Sequence, residues 1–169
     1  MNRTSSANLA AVPLLLAFLA LPEVAHAQQY LIGATGGLSS GMEGGGGDPM
    51  RRTRTRLRFG GDLRIDESPD DILEFGMLAE VEPQSGFGGD IRYARVVGSH
   101  FVVDAGFMGI LAPSSLYGVC TGLTYRLNIT KSSQVTLGPE ADFFFLGTDL
   151  PDNVMLWQLR FQAGFRVDL

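Results

Sequence analysis

The sequence predicts an all-β protein, an eight-stranded antiparallel up-and-down transmembrane β-barrel. Three observations predict it. Apolar and polar residues alternate with a period of two in eight successive stretches after residue 29, and successive side chains on a strand point to opposite faces. Most of the links between these stretches are short, which favours antiparallel neighbours, since parallel strands need crossovers of a dozen or more residues. The apolar face carries more large aromatic residues than a narrow eight-stranded interior could hold.

The chain has 169 residues, enough for one domain. Residues 1–27 read as a signal peptide: a basic start at Asn2-Arg3, an apolar run from Leu9 to Leu21, and the small-x-small site Ala25-His26-Ala27. The run is shorter than the roughly 20 residues a spanning helix needs. Cleavage near Ala27 leaves residues 28–169 as the barrel domain. Elsewhere no apolar segment is long enough for a transmembrane helix. Cys120 is the only cysteine, so a disulfide framework is excluded. The net charge of −5 argues against a nucleic-acid partner.

The strands follow in order. Tyr30, Ile32, Ala34 and Leu38 alternate with Gly33, Thr35 and Gly37. The second stretch, RTRTRLRFGGDLRID from Arg52 to Asp66, places Arg52, Arg54, Arg56, Arg58, Asp62 and Arg64 on one face and Leu57, Phe59, Leu63 and Ile65 on the other. In the third, Leu73, Phe75, Met77, Ala79 and Val81 oppose Glu74, Gly76, Glu80 and Glu82. Ser68-Pro69-Asp70-Asp71 resembles a helix start, so 72–80 reads either as strand or as a short helix, with Gly76 and the alternation favouring strand. Phe87, Ile91 and Tyr93 form the apolar face of the fourth, and Phe101, Val103, Ala105 and Phe107 that of the fifth. The sixth runs from Tyr117 to Ile129, the seventh from Val135 to Phe145, and the eighth from Met155 to Leu169. The connections expected are a long glycine-rich one at 39–50 and short ones at 67–71, 83–86, 97–99, 112–115, 130–133 and 147–153.

Alternation alone leaves open which face is inside. A soluble barrel turns its apolar face inward; a membrane barrel does the reverse. A hairpin centred on Pro69 would pair Arg64 with Glu74, Arg58 with Glu80 and Arg56 with Glu82. Centres at Gly98 and Leu150 would pair Arg92 with Asp104 and Arg160 with Glu140. Enclosed charges require such partners, so these ten residues are the expected ion-pair network of a charged lumen. Glycines on the same face (Gly33, Gly60, Gly76, Gly88, Gly106, Gly118, Gly122, Gly138, Gly164) leave room for the arginines.

The last eight residues, QAGFRVDL, place Gln162, Gly164, Val167 and Leu169 where bacterial outer-membrane barrels carry their C-terminal assembly signal. Members of that group usually end in an aromatic residue, and this chain ends in leucine. On this motif and the architecture of 28–169, the sequence resembles small eight-stranded outer-membrane proteins of the OmpA/OmpX type. The resemblance implies export, insertion by the outer-membrane barrel assembly machinery, a Gram-negative outer-membrane location, contact with outer-membrane lipid and lipopolysaccharide, and periplasmic termini. The links at 39–50, 83–86, 112–115 and 147–153 would then face outside the cell.

The function expected is a structural or surface-interaction role with a side-chain-filled lumen, as a monomer and not as a general porin. No catalytic residue, metal site or cofactor is assigned. The alternatives are a lipid A-modifying barrel enzyme and a soluble periplasmic barrel. Ser99-His100 is the only serine–histidine neighbourhood, and it lies in what would be a periplasmic turn. Acidic groups at 66–71 and 149–153 lack the spacing of a calcium loop. At the top of the second strand, Arg51, Arg52 and Arg54 are candidate contacts for lipopolysaccharide phosphates.

Overall fold

The computed structural model describes residues 30–45, 48–65, 68–82, 85–148, 150 and 154–169. The assigned signal peptide and the cleavage point lie outside the described residues. Eight strands run in chain order: β1 (Tyr30–Gly45), β2 (Asp48–Ile65), β3 (Ser68–Glu82), β4 (Gly86–Val97), β5 (Phe101–Ala112), β6 (Leu116–Asn128), β7 (Ser133–Gly147) and β8 (Leu156–Asp168). Each pairs antiparallel with the next, and β8 pairs with β1, so the sheet closes. No strand edge is left to expose unpaired backbone groups, the condition for a sheet to sit in hydrocarbon.

Following directly opposite residues around the barrel from Ile32 leads through Leu63, Leu73, Tyr93, Ala105, Thr121, Ala141 and Leu159 to Met42. The circuit returns to β1 ten residues beyond its start. With standard strand spacing, that stagger gives a tilt of about 40° and a backbone radius of about 8 Å. Such an interior is filled by side chains.

Two expected boundaries are corrected, and one open segment is decided as the alternation favoured. The 39–50 connection is mostly strand: β1 reaches Gly45 and β2 begins at Asp48. The glycines there serve close approach, since a Cβ on Gly41 would lie 2.0 Å from the Leu159 carbonyl oxygen of β8. The segment 67–71 is also mostly strand, because β3 starts at Ser68 and Ile65 pairs with Ser68. Residues 72–80 are strand throughout.

The faces are inverted relative to a water-soluble barrel. Phe59, Phe75, Phe87, Ile91, Phe107, Phe145, Leu159, Phe161 and Phe165 are exposed on the outside, Phe107 by 72%. Arg56, Asp62, Glu80, Asp90, Arg92, Asp104, Glu140, Asp142, Arg160 and Arg166 are buried within. Tyr30, Tyr93, Phe101 and Tyr125 lie toward one end of the outer surface, and Phe87, Tyr117 and Phe145 toward the other. Paired aromatic girdles of this kind flank the apolar band of membrane barrels. On the outer face near the first end, Tyr93 donates to Asp71 at 2.5 Å and Arg95 lies 3.8 Å from the same carboxylate, so charge reappears where the apolar band stops.

Candidate functional site: a sealed, charged lumen

The inward positions of β2 supply the arginines. Arg56, only 1% exposed, reaches Glu80 at 2.5 Å, Asp142 at 3.1 Å and Gln158 at 3.1 Å. Arg54 bonds Glu43 and, at 2.5 Å, Glu80. Arg58 bridges Glu74 at 3.2 Å and Asp90 at 2.9 Å. From β4, Arg92 joins Asp90 at 2.7 Å, Asp104 at 3.3 Å and Glu140 at 2.5 Å. Arg160 of β8 lies 3.0 Å from Glu140 and 2.5 Å from Asp142. These contacts form one continuous network drawing on seven of the eight strands, all but β6. Charges enclosed this way are tolerated because each is paired and hydrogen-bonded.

The β2–β3 register corrects the expected partners. Arg56 stands opposite Glu80, Arg58 opposite Leu78, Asp62 opposite Glu74 and Arg64 opposite Ile72, two residues away from a hairpin centred on Pro69. The shift accompanies a register irregularity between Arg64 and Ile65 and the pairing of Ile65 with Ser68. Arg64 therefore meets Asp62 at 3.3 Å in place of Glu74. Arg58 takes Glu74 diagonally in place of Glu80. Glu82 is exposed at the rim, where it accepts from Thr55 at 3.3 Å, and has no part in the network. Arg92 faces Gly106 across the ladder, with Asp104 opposite Ala94, yet its long side chain still reaches Asp104. Arg160 stands directly opposite Glu140.

Asp62, Asp90, Asp142, Glu43 and Gln158 also belong to the interior network. Their strand parity, shared with the arginines, was the available signal. The sequence reasoning also missed an apolar layer inside the lumen. Leu78, Met108, Ile110, Leu116, Cys120 and Phe144 pack together, each at most 4% exposed, with Leu150 and Leu156 against them. They sit at the inward positions of β3, β5, β6 and β7 near the end carrying the β1–β2, β3–β4, β5–β6 and β7–β8 links. Cys120 faces inward, as its parity required. A smaller cluster of Ile72, Ala94 and Val102 lies toward the opposite end. The lumen is thus closed on one side by apolar packing and through its middle by ion pairs.

Glycine is required where arginine or backbone comes closest. A Cβ at Gly76 would lie 2.2 Å from an Asp90 carboxylate oxygen and 2.7 Å from Arg58 Nε, and one at Gly138 would lie 1.9 Å from the Leu123 carbonyl.

No protein-family model and no curated protein matches the sequence. Among solved structures, the barrel is similar to Neisserial surface protein A (NspA), with 15% identity over 83% of this chain and 97% of that one and a TM-score of 0.44. It is also similar to a de novo designed transmembrane β-barrel, with 11% identity over 80% of this chain and 95% of that one and a TM-score of 0.39. The membrane character of this chain follows from its own faces.

Of the other residues singled out by sequence, Ser99 and His100 do meet. Ser99 Oγ lies 2.5 Å from His100 Nδ1 in the β4–β5 turn, and His100 stacks on Tyr125 with ring centroids 5.5 Å apart. No carboxylate among the described residues joins them, and no cluster there suits a metal ion. Arg54 turns inward to Glu43 and Glu80, which removes it as an external phosphate contact. The side chains of Arg51 and Arg52 lie outside the described residues. Gln162 and Gly164 face inward on β8. Val167 pairs with Ala34 and Ser133, and the Leu169 amide donates to the Ile32 carbonyl at 2.9 Å.

Proposed function

We propose that this chain is an integral protein of a Gram-negative outer membrane, in which a closed barrel with a filled lumen serves a structural or surface-interaction role without general porin activity. The observation that carries the reading is the inversion of faces, with phenylalanines exposed outside and ion-paired arginines within. In water, that exterior would be an extensive apolar surface of the kind soluble monomers avoid. In lipid it is the favourable face. Residues 1–27 act as the export signal. Gln162, Gly164, Val167 and Leu169 are read as the contact for the barrel assembly machinery. On this reading the turns at 66–67, 98–100 and 129–132 are periplasmic, and the protein works as a monomer among outer-membrane lipid and lipopolysaccharide.

A lipid A-modifying activity is the second reading, and one contact favours it: the Ser99–His100 hydrogen bond. Its position at the periplasmic turn, away from the outer leaflet, disfavours it. Envelope fractionation with electrophoresis of boiled and unboiled samples tests the first reading. Outer-membrane recovery with heat-modifiable mobility is expected; a soluble periplasmic band of unchanged mobility refutes it. Mass spectrometry of lipid A with and without the protein tests the second, and an unchanged lipid A profile is expected.

A further inference from the structure

We propose that the end of the lumen next to the 66–67, 98–100 and 129–132 turns is a binding site for a small oxyanion, a phosphate or carboxylate, held by Arg64, Arg126 and Arg166. Calling that mouth periplasmic rests on the outer-membrane reading; the site itself rests only on the closed barrel.

The ion pairs at this mouth leave guanidinium groups incompletely partnered. Arg166 takes both nearby acids, gripping Asp62 with Nε at 2.9 and 3.0 Å and reaching Asp168 with Nη1. Arg64 shares Asp62 at 3.3 Å without hydrogen-bond alignment, so its Nε is left without an acceptor. Arg126 lies within electrostatic reach of both other arginines and of Asp62 and Asp70, but among the described residues no carboxylate approaches it to ion-pair distance. Three guanidinium groups therefore share two carboxylates at ion-pair distance, with the exposed Asp70 acting on Arg126 only from farther away. The incomplete pairing is visible atom by atom. Arg64 Nη2 and Arg166 Nη2 are buried and have no hydrogen-bond acceptor in the protein, although the Arg166 side chain is only 6% exposed. A buried N–H without an acceptor costs roughly 1–3 kcal/mol, more when it is charged, and an anion would remove that cost.

The space is present. Arg64, Arg126 and Arg166 line the outer part of a cavity of about 80 Å³ that also borders Thr35, Thr136 and Gln162 and continues inward to Glu74, Asp104 and Glu140. That volume accommodates several waters or one small oxyanion. Access is one-sided. Asp168 at this mouth is 36% exposed and Arg64 12%, whereas Phe144, Leu116 and Ile110 close the opposite end at 0–4%. The planar guanidinium fork matches the oxygen spacing of carboxylate and phosphate, which is why an oxyanion is the class assigned.

The test uses the full-length mature barrel folded in detergent micelles. Inorganic phosphate and, separately, acetate are titrated at constant ionic strength, with binding read by calorimetry and phosphate line width in ³¹P NMR. Saturable binding with one site per barrel is expected, weakened about tenfold or more by R126Q and unchanged by R95Q on the outer face. Stronger phosphate binding identifies a phosphate-bearing ligand; stronger acetate binding identifies a carboxylate. Either result supports the site. Absence of saturation into the tens of millimolar in the parent protein overturns it, as does equal binding by R126Q. Should R126Q fail to show heat-modifiable mobility, the parent titration still decides, and R64Q replaces it as the second variant. A parent protein that lacks heat-modifiable mobility refutes the membrane-barrel reading instead, so the two failures are distinguishable.

Discussion

Replacing Arg92 by methionine should destabilise the barrel more than replacing Arg56 by methionine, although Arg56 is the more deeply buried. Loss of Arg56 removes one partner from Glu80 and one from Asp142, but Glu80 keeps Arg54 at 2.5 Å and Asp142 keeps Arg160 at 2.5 Å. Loss of Arg92 leaves Asp90 with Arg58 at 2.9 Å and Glu140 with Arg160 at 3.0 Å. Asp104, only 6% exposed, keeps no ion-pair partner among the described residues. Breaking a buried pair costs about 3–5 kcal/mol, chiefly because a charge is stranded. R56M should therefore fall near the lower limit and R92M near the upper, a gap of about 2 kcal/mol. The double variant R92M/D104N should recover about 2 kcal/mol of the R92M loss, since the stranded charge is gone. Urea titration in lipid vesicles, scored by the mobility difference between folded and unfolded bands, measures each value. Equal stability of R92M and R92M/D104N would refute the stranding argument, and so would an R56M penalty larger than that of R92M.

Other consequences are checked with similar preparations. Arginine at Phe107, the most exposed phenylalanine and near the middle of β5, should cost about 2–4 kcal/mol in a bilayer; a neutral effect there would place that face in water. Alanine at Gly76 must displace the Arg58–Asp90 pair and should cost about 1–3 kcal/mol by overpacking, measured by the same urea titration. Cys120, 2% exposed within the apolar layer, should resist a water-soluble maleimide in the folded barrel and react after boiling in detergent, with mass spectrometry as the readout. Rapid labelling of the folded form would show that the lumen admits solutes.

Strand number, strand parity and the direction of each face were legible in the sequence because alternation over eight stretches encodes them directly. Register was not. The β2–β3 register is offset by two residues from a hairpin centred on Pro69, and an offset of two preserves every side chain's face while exchanging its partner. Arginine length then hides the error: Arg92 reaches Asp104 at 3.3 Å even though Gly106 stands opposite it. The apolar layer was missed for a related reason. Leu78, Met108 and Phe144 occupy inward positions within stretches whose outward positions are also apolar, so the alternation is locally silent.

The arrangement of charge explains more than its total. Eight arginines (54, 56, 58, 64, 92, 126, 160, 166) and nine acids (43, 62, 74, 80, 90, 104, 140, 142, 168) face the lumen among the described residues, so the interior as a whole is close to neutral. An apolar filling of equal volume would often be as stable, but it would make both faces of every strand apolar and remove the cue that sets register and orientation in lipid. Ion pairs keep the two faces chemically distinct. They also leave a gradient along the axis. At one mouth Arg64, Arg126 and Arg166 outnumber the carboxylates paired with them, Asp62 and Asp168, with Asp70 exposed beyond them, while from Arg58 to Arg54 the acids outnumber the arginines. A mobile anion entering at the arginine mouth meets attraction first, then a network already rich in carboxylates, and finally the packed Leu116–Phe144 layer. On the proposed reading, the same distribution that would favour binding at the mouth would oppose passage beyond it, so the barrel would hold an anion at one end without conducting it.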